Sequence, residues 1–490
     1  MTAIPVTAIP VERIVAALKH AGVFVDLSGT LRDHVADITD DSRQVAANGL
    51  FLAVRGSERD GHDFLPQAQA AGAVAAIVED PERTTLPAIV VREGRRAAAI
   101  AAAAAFDDPA KQLRLVAVTG TNGKTTTVGI LRHLLDKPDA RSASIGTLGV
   151  LLGSDGVPVG GGASLTTPGP VELQRALRAL VDRGVRTVAM ELSSHSLDQR
   201  RAETLTFEAG VFTNLTRDHL DYHETMEAYL EAKSRLISLL GARGAAIVNL
   251  DDEIWQRLPP AHTVITFGRD PEAMVRADSV LFHPRGSEWL LVADNQRHAL
   301  QLPLIGDFNV SNALGAAAAA WHLGMPLSSI AARLRTVPQV AGRLEVIHER
   351  PTVLRDYAHT PDALERSLAA VRPFARKKLI VIFGAGGDRD RGKRPLMGAI
   401  AEQGADFAIV TSDNPRTEDP ASILVDIERG MRETNHELIE DRRDAIARAL
   451  AMATPEDVVL LAGKGHETYQ VRGTTAYPFD EKEVVNELTA

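Results

Sequence analysis

The strongest constraint on the fold is a repeated alternation of short apolar segments with helical sequence patterns, which begins near residue 113. The apolar segments are "LRLVAVTG", "RTVAMELSS", "EAGVFTNL", "AAIVNLDD" and "TVITFG". Strands that alternate with helices form βαβ units, and such units build a mostly parallel sheet whose ligands bind at the carboxyl ends of the strands. The sequence therefore predicts an α/β fold.

A second alternating pattern begins near residues 337–347, with predicted strands in "TVLRDYAHT", "KLIVIFGAGG", "ADFAIVTSDNP" and "DVVLLAGKGHE". The N-terminal residues, up to about residue 110, precede both alternating patterns. They carry shorter apolar runs and end in the Ala-rich helix candidate "AAAIAAAAAF". A chain of 490 residues is too long for one hydrophobic core. We predict three domains, at residues 1–110, 111–338 and 339–490.

Composition limits the classes of partner. Lys and Arg number 54 against 64 Asp and Glu, so the net charge of -10 argues against nucleic acid or anionic lipid as the main partner. The absence of cysteine excludes disulfides, zinc-thiolate sites and thiol nucleophiles. The N-terminal segment lacks the pattern of a signal peptide, and the Ala-rich run is too short to span a bilayer. A cytoplasmic location without membrane insertion is expected.

The segment "VAVTGTNGKTTTVGILRHLL" (116–135) predicts a phosphate-binding loop. A buried strand, a Gly-containing loop and an amphipathic helix would aim backbone N–H groups at an anion. Lys124 would add a positive charge, and the Thr125 hydroxyl could bind Mg²⁺. Val118 stands where the longer motif has its first glycine, so "GTNGKTT" is a shorter variant. A strand-turn-helix that contains Gly-Lys-Thr by chance is the alternative.

Two further polar residues follow neighbouring predicted strands. Glu191 ends "RTVAMELSS", and His219 lies in "NLTRDHLDYH" after the next strand. At the edge that carries the phosphate loop, a carboxylate and an imidazole could hold a second divalent ion near the γ-phosphate. For each residue alone, a helix cap or a hydrogen-bonded loop histidine explains the pattern equally well.

Lys233 lies in "MEAYLEAKSRLISLL", which we predict to be one amphipathic helix. Its helical neighbours are all apolar or aromatic: Tyr229, Leu230, Leu236 and Ile237. Desolvation would favour the neutral amine, which could add CO₂ to become a carbamate and so an oxygen ligand for a metal. The pattern alone favours a lysine that extends its ammonium to solvent.

These motifs together resemble the Mur ligase family of ATP-dependent amino acid ligases. The matching segments run in family order over nearly the whole chain: "GTNGKTT", "ELSSH", "NLTRDHLDYH", "GDFNVSN", "GRLE", "DYAHTPDAL", "FGAGGDRDRGKRP", "DNPR" and "GKGHE". The resemblance implies an N-terminal domain for the UDP end of a substrate, a central P-loop-type ATPase and a C-terminal Rossmann-like domain for an incoming amino acid. It also implies that Lys233 is carbamylated.

The resemblance implies a role for each residue that matches a family motif. The ATP side comprises Gly120, Thr121, Asn122, Gly123, Lys124, Thr125, Thr126, Asn309, Arg343 and Asp356. The UDP-substrate side comprises Asp40, Ser42, Ser57, Glu58, Arg59, Thr166, Thr167, Ser193, Gln199 and Arg201. Lys124, Lys233, Glu191 and His219 would serve catalysis, with Thr125, Glu191, His219 and N6-carboxylated Lys233 as metal ligands. Leu165 departs from the polar residue that relatives can carry before "TTP", so that contact is not inferred.

The implied reaction belongs to peptidoglycan precursor synthesis. With ATP and Mg²⁺, it joins meso-diaminopimelate to UDP-N-acetylmuramoyl-L-alanyl-D-glutamate through an acyl phosphate. The amino acid would bind Arg389, Asp413, Asn414, Pro415, Arg416, Gly463 and Glu467. The Arg416 guanidinium could hold the carboxylate that distinguishes diaminopimelate from lysine. The alternative is an ion pair of Arg416 with Glu418 or Asp419, worth at most about 1 kcal/mol if exposed.

Other functions stay open at this point. Within the same fold, the chain could be a lysine-adding Mur ligase or a folylpolyglutamate synthase-like ligase. A regulatory P-loop ATPase or a structural interaction protein would not need so many polar motifs at strand ends. We expect small-molecule substrates, no nucleic acid partner and a monomer.

Overall fold

The computed structural model describes residues 8–56, 59–160 and 165–490. The chain separates into two compact units, of which the first comprises Met1–Arg276 with Asn312–Ile330 and the second comprises Ala277–Ser311 with Ala331–Ala490. Because this division does not test the three predicted domain boundaries, they stay a prediction.

A five-stranded sheet organises the N-terminal part of the first unit. Its elements are β1 (Ile9–Pro10), α1 (Val11–His20), β2 (Phe24–Ser28), β3 (His34–Val35), β4 (Ile38–Thr39), β5 (Gly49–Leu52), α2 (Leu65–Ala71), β6 (Ala73–Val78), β7 (Ala88–Val91) and α3 (Gly94–Ala105). The strand order is β2-β7-β6-β5-β4, and only β2 pairs antiparallel. The Ala-rich α3 is buried along most of its length, so it covers the sheet as a packed core helix.

A larger, mostly parallel sheet follows in the same unit. Its elements are β8 (Arg114–Thr119), α4 (Lys124–Leu135), β9 (Ser142–Gly146), β10 (Gly149–Leu152), β11 (Val157–Pro158), α5 (Pro170–Asp182), β12 (Thr187–Glu191), α6 (Ser194–Asp198), β13 (Phe207–Phe212), α7 (Leu220–His223), α8 (Met226–Ser234), β14 (Leu240–Asn249), β15 (Thr263–Gly268) and β16 (Val275–His283), of which β16 begins in this unit and continues into the second. From β11 to β16 the strand order is β11-β10-β9-β12-β8-β13-β14-β15-β16, so β12, β8 and β13 are neighbours.

The second unit contains an antiparallel hairpin and a six-stranded sheet. Its elements are β17 (Gly286–Ala293), β18 (Gln296–Leu302), α9 (Asp307–His322), α10 (Leu327–Leu334), β19 (Glu345–Glu349), β20 (Thr352–Asp356), α11 (Pro361–Val371), β21 (Leu379–Phe383), α12 (Lys393–Gly404), β22 (Phe407–Val410), α13 (Pro420–Glu428), β23 (His436–Leu438), α14 (Arg442–Met452), β24 (Val458–Ala462), β25 (Tyr469–Arg472), β26 (Thr475–Pro478) and α15 (Glu481–Thr489). Helices α9 and α10 each extend into the first unit.

The sheet of the second unit has the order β19-β20-β24-β21-β22-β23, and all its pairs except β19–β20 are parallel. Apolar side chains fill both of its faces. The predicted α/β fold class with mostly parallel sheets is confirmed. Within the described residues, no helix is both long and apolar enough to span a membrane.

The structure corrects one predicted element. Helix α8 ends at Ser234, and a 3₁₀ helix continues over Arg235–Leu239, so "MEAYLEAKSRLISLL" is not one α-helix. The Ser234 and Ser238 hydroxyls donate to the carbonyls of Leu230 and Arg235. Serine side chains that bond to the backbone in this way compete with regular helix geometry.

Candidate active site

The segment "GTNGKTT" forms the tight loop after β8 and the first residues of α4, as predicted. Gly123 caps the N-terminus of α4 with φ +87°, so Lys124 is the first helical residue. The Lys124 ammonium donates to the carbonyls of Gly120 (2.9 Å) and Thr121 (2.7 Å). A lysine folded over its own loop at a helix N-terminus concentrates positive potential where a phosphate would bind.

Residues at the end of β13 hold this loop in place. The Thr213 hydroxyl donates to the Asn122 carbonyl (2.7 Å), and the Asn214 amide side chain both donates to that carbonyl and accepts from the Asn122 N–H. A Cβ added to Gly120 would lie 1.9 Å from the Thr213 hydroxyl, and one added to Gly123 would lie 2.2 Å from Asn312 Oδ1. Both glycines are therefore required by close approach.

Lys233 is fully buried beneath the same loop. Its ammonium donates to the Gly120 carbonyl at 2.8 Å and lies 4.4 Å from the centre of the Tyr229 ring. Burial lowers the pKa of Lys233 well below its usual value, and the nearby Lys124 charge lowers it further. The expectation of a solvent-extended lysine is wrong, because the 1% exposure of Lys233 leaves its ammonium inside the protein.

Glu191 lies at the end of β12, beside the strand that leads into the phosphate loop. Its side chain is buried and accepts hydrogen bonds from the backbone N–H (2.8 Å) and hydroxyl (3.2 Å) of Thr147. A Cβ on Gly146 would lie 2.2 Å from Glu191 Oε1, so the turn after β9 encloses the carboxylate. One carboxylate in a fixed orientation is available at this edge.

His219 adopts φ +52° immediately before α7 and belongs to an aromatic cluster. Its ring centre lies 4.8 Å from that of His195 and 6.2 Å from that of Tyr229. His195 also contacts Tyr222 at 4.3 Å and His223 at 5.4 Å. The cluster connects "ELSSH", "NLTRDHLDYH" and α8, so the three motifs form one region.

The predicted metal site can be compared with the side chains that could bind a metal ion. In the part of the chain that the structure describes, no three His, Asp or Glu side chains converge as a ready-made metal site. Mg²⁺ is commonly bound by one or two protein carboxylates together with phosphate oxygens and water. Thr125, Glu191 and His219 fit that partial donor set, and their metal-binding roles stay predictions.

The described residues among those predicted for the UDP-substrate side belong to the first unit. Asp40 and Arg59 are exposed, and the Ser42 hydroxyl donates to Gln67 (3.1 Å). Ser57 and Glu58 lie outside the described residues.

The other UDP-side residues lie around the two ends of α6. Thr167 accepts from the Ser193 N–H (3.1 Å), and its carbonyl accepts from Arg201 (2.8 Å). Arg201 also donates to Gln199 Oε1 at 2.6 Å. The Thr166 and Thr147 hydroxyl oxygens lie 3.2 Å apart, and the Thr147 hydroxyl in turn contacts Glu191, which links this group to that carboxylate.

Three residues predicted for the ATP side belong to the second unit and have structural partners there. The buried Asn309 side chain donates to the Ile305 carbonyl at 2.8 Å. The Asp356 carboxylate accepts from the backbone N–H groups of Leu344 and Ala358 and from the Ser367 hydroxyl. Arg343 stacks over Tyr357, with the guanidinium carbon 4.8 Å from the ring centre. Their nucleotide contacts stay predictions.

Three neighbouring strands of the second unit end in the loops predicted to bind an amino acid. The loops follow β24, β21 and β22 and carry "GKGHE", "GAGGDRDRG" and "DNPR". The Gly387 N–H donates to the Asn414 carbonyl (2.9 Å), and Asp388 accepts from the Thr417 N–H (3.1 Å). Arg389 is exposed. These bonds fix two of the loops against each other.

Arg416 forms no ion pair within the described residues. Its side chain donates to the Gly387 carbonyl (2.8 Å), while its backbone adopts φ +52° and pairs with β25. Glu418 accepts from Arg394 and Arg391, and Asp419 caps α13. The surface ion pair considered for Arg416 is therefore absent, because both acids are committed elsewhere.

The buried Lys464 is the main feature that the sequence reasoning missed. Its ammonium lies 3.2 Å from Asn414 Oδ1, 3.3 Å from Glu467 Oε2 and 3.7 Å from Asp413 Oδ1. Asp413, Asn414 and Glu467 were expected to face the ammonium of an amino acid, yet the protein's own lysine already contacts them. The signal was present in "GKGHE", where Lys464 stands between two glycines.

Sequence comparisons agree over most of the chain. Residues 34–119 match "Mur ligase family, catalytic domain", residues 118–320 match "Mur ligase middle domain", and residues 342–465 match "Mur ligase, glutamate ligase domain". The UDP-N-acetylmuramoyl-L-alanyl-D-glutamate–2,6-diaminopimelate ligase of Geobacillus kaustophilus is 42% identical over 96% of this chain and 98% of its own length. The enzyme of that name from Synechococcus elongatus is 44% identical over 95% of this chain and 94% of its own.

Solved structures agree with these comparisons. A structure of a UDP-N-acetylmuramoyl-L-alanyl-D-glutamate–2,6-diaminopimelate ligase is 34% identical, covers 96% of this chain and 98% of its own, and superposes with a TM-score of 0.66. MurF ligase from Thermotoga maritima, solved with ADP, is 20% identical and shares the fold with a TM-score of 0.64, over 92% of this chain and 96% of its own. These matches cover most of the chain, and the chain therefore belongs to the Mur ligase family.

Proposed function

We propose that this Mur ligase joins meso-diaminopimelate to UDP-N-acetylmuramoyl-L-alanyl-D-glutamate, with ATP converted to ADP and phosphate. The observation that carries the choice of amino acid is Arg416, a guanidinium with no carboxylate partner among the described residues, in a loop cluster that also holds Asp413 and Glu467. A diamino acid with two carboxylates offers the missing partner. The relatives that bear this name are similar over nearly the full chain.

The first step would transfer the γ-phosphoryl group of ATP to the D-glutamyl carboxylate. Backbone N–H groups at the start of α4 and the Lys124 ammonium would stabilise the charge on the transferring group. Thr125, Glu191 and His219 would hold Mg²⁺, which when bound supplies positive charge to the phosphate oxygens. The amine of the amino acid would then attack the acyl phosphate, and the resulting tetrahedral intermediate would expel phosphate.

Lys233 would contribute as a carbamate. Its burial favours the neutral amine, which can form a C–N bond to CO₂ and release a proton. The product is an anionic oxygen donor beneath the phosphate loop, where the Gly120 carbonyl now accepts from the ammonium. This change of charge at one position would favour a cation at the same edge as Glu191.

We further propose that the enzyme acts in the cytoplasm, where ATP is available, as a monomer on small-molecule substrates. The reaction type is tested by identifying the products formed from ATP, the UDP-linked dipeptide and meso-diaminopimelate. The proposal requires ADP, phosphate and a UDP-linked tripeptide in equal amounts. Formation of AMP and pyrophosphate would show adenylate chemistry and would overturn the acyl phosphate.

A further inference from the structure

Lys464 is a buried cation to which the proposed reaction assigns no role. Its side chain is fully excluded from solvent at the base of the loop that follows β24. A buried ammonium is costly unless charges and hydrogen-bond acceptors compensate it. Asp413, Asn414 and Glu467 supply that compensation at 3.7, 3.2 and 3.3 Å.

The lysine also fixes the orientation of Asn414. The Asn414 side-chain oxygen accepts from Lys464 and from the Val471 N–H (2.9 Å), so its amide nitrogen faces Glu467 Oε2 at 2.8 Å. Glu467 Oε2 accepts from both neighbours. A carboxylate with two fixed donors has a fixed direction, which a binding site for a small amino acid needs.

Four charges therefore lie in one loop cluster. The anions are Asp413 and Glu467, and the cations are Lys464 and Arg416. Burial raises the pKa of the Tyr469 hydroxyl, and its surroundings include Glu467 and Asp413, which raise it further, and Arg416, which lowers it. The Lys464 ammonium lies 5.9 Å from the centre of the same Tyr469 ring, so the ring borders the charged cluster.

The charge of the cluster is balanced only because Lys464 is present. Two carboxylates against two cations give a net charge of zero, and removal of Lys464 would leave one excess negative charge. At neutral pH, meso-diaminopimelate has two ammonium and two carboxylate groups, whereas lysine carries one net positive charge. A negative site would attract lysine more than it attracts diaminopimelate.

We propose that Lys464 is a positioning and specificity-determining residue, an internal counter-ion that orients Asn414 and Glu467 and keeps the site selective for a diamino acid with two carboxylates. This inference rests on the proposed function. Lys464 and Arg416 have complementary roles. Arg416 attracts the second carboxylate of the substrate, and Lys464 neutralises the two acids so that they do not favour a substrate with a net positive charge.

The test compares kcat/KM for meso-diaminopimelate and L-lysine in the full-length enzyme and in Lys464→Met. We expect kcat/KM for diaminopimelate to fall about tenfold or more, mainly through KM, and the diaminopimelate-to-lysine ratio to fall by a similar factor. The KM for ATP should stay within about twofold of the wild-type value, because Lys464 is not part of the phosphate loop. Lys464→Gln removes the same charge but keeps a donor, and it replaces Lys464→Met if that variant does not fold.

Three controls separate charge from packing. Lys464→Arg keeps the charge and should keep the ratio, and Lys464→Met with Asp413→Asn restores the balance and should recover the ratio even if the rate stays low. Lys377→Met removes a lysine that is 58% exposed and should change neither value. An unchanged ratio in both charge-removing variants would reduce Lys464 to a structural residue. If the unaltered enzyme does not use diaminopimelate, the proposed function fails and this inference falls with it.

Discussion

Lys233 shows how one buried side chain can change the chemistry of a site. Its ammonium is excluded from solvent, lies beside a second lysine and contacts only a carbonyl and an aromatic ring among the described residues. Such surroundings favour loss of a proton from the ammonium, which leaves the neutral amine. The same burial that disfavours the cation makes the carbamate accessible.

Lys233→Ala is expected to lose nearly all ligase activity, because no oxygen donor would remain beneath Gly120. A short carboxylate such as acetate should restore part of the activity by entering the space left by the side chain. The measurement is phosphate release at increasing acetate concentration, with Lys233→Arg as a variant that keeps a cation and leaves no space. Equal responses to acetate in the two variants would contradict the carbamate.

Arg416 is expected to matter far more for substrate use than for stability. Arg416→Ala loses one side-chain hydrogen bond, to the Gly387 carbonyl, so its free energy of unfolding should change by about 1 kcal/mol. The kcat/KM for meso-diaminopimelate should fall about a hundredfold or more, because its second carboxylate would lose the guanidinium group that binds it. Arg429→Ala, which removes an exposed arginine paired with Asp426, is the matched control. If Arg416→Ala uses diaminopimelate as well as the wild-type enzyme does, Arg416 does not bind the second carboxylate.

At the scale of elements, the phosphate loop depends on its glycines for two separable reasons. Gly123 has both φ +87° and a neighbour, Asn312 Oδ1, that would lie only 2.2 Å from an added Cβ, whereas Gly184 has φ +76° and open space around its Cβ position. Both Gly→Ala changes impose backbone strain of about 1–2 kcal/mol. Only the change at Gly123 also creates a steric clash, between the added Cβ and Asn312 Oδ1.

Gly123→Ala should therefore raise the KM for ATP about tenfold or more, while Gly184→Ala should lower the melting temperature without changing that KM. The experiment measures ATP dependence and thermal unfolding for both variants. Similar KM values for the two variants would show that close packing at the loop is unimportant for nucleotide binding.

Helix α15 is held to the second unit by a fully buried ion pair. Glu481 pairs with Arg442, which also donates to the Ala462 carbonyl just before Gly463. Removal of one partner from a buried pair leaves an uncompensated charge. Glu481→Ala should lower the free energy of unfolding by about 3–5 kcal/mol. Glu487→Ala on the same helix removes an exposed pair with Arg443 and should cost about 1 kcal/mol or less, so equal losses in denaturant titrations would contradict this account.

The elements also show what could be predicted from the sequence. Strands such as β21, β22 and β24 are continuous apolar runs, which signal buried parallel strands directly. The hairpin of β17 and β18 was not predicted, although its turn residues Asp294 and Asn295 both have positive φ and Asp and Asn are typical of such turns. The end of α8 at Ser234 depends on side-chain bonds to the backbone, which periodicity does not report.

At the site, the sequence located single motifs but not their mutual contacts. Glu191 and "GTNGKTT" could be placed because both follow strands, and parallel strands share an edge. The roles of Thr147, Thr213 and Lys464 depend on which side chains meet in space. Long-range contacts of this kind leave no periodic signal in one sequence.

At the scale of the whole molecule, a chain with net charge -10 is proposed to bind ATP and a UDP-linked peptide, both of which are anions. Long-range attraction does not help such ligands, so the positive groups must be local. In the first unit, Lys124 and the N-terminus of α4 supply them beside the phosphate loop. In the second unit, Arg416 supplies a positive group beside the balanced charges of the amino acid loops.

Ligation of meso-diaminopimelate by this Mur ligase, with ADP as product, can be measured as phosphate release in the presence of UDP-N-acetylmuramoyl-L-alanyl-D-glutamate and ATP. The assay compares meso-diaminopimelate with L-lysine at equal concentrations. We predict release that depends on the UDP-linked dipeptide and is faster with diaminopimelate by about a hundredfold or more. Equal or faster release with L-lysine, or release that needs neither amino acid, would exclude diaminopimelate as the preferred substrate.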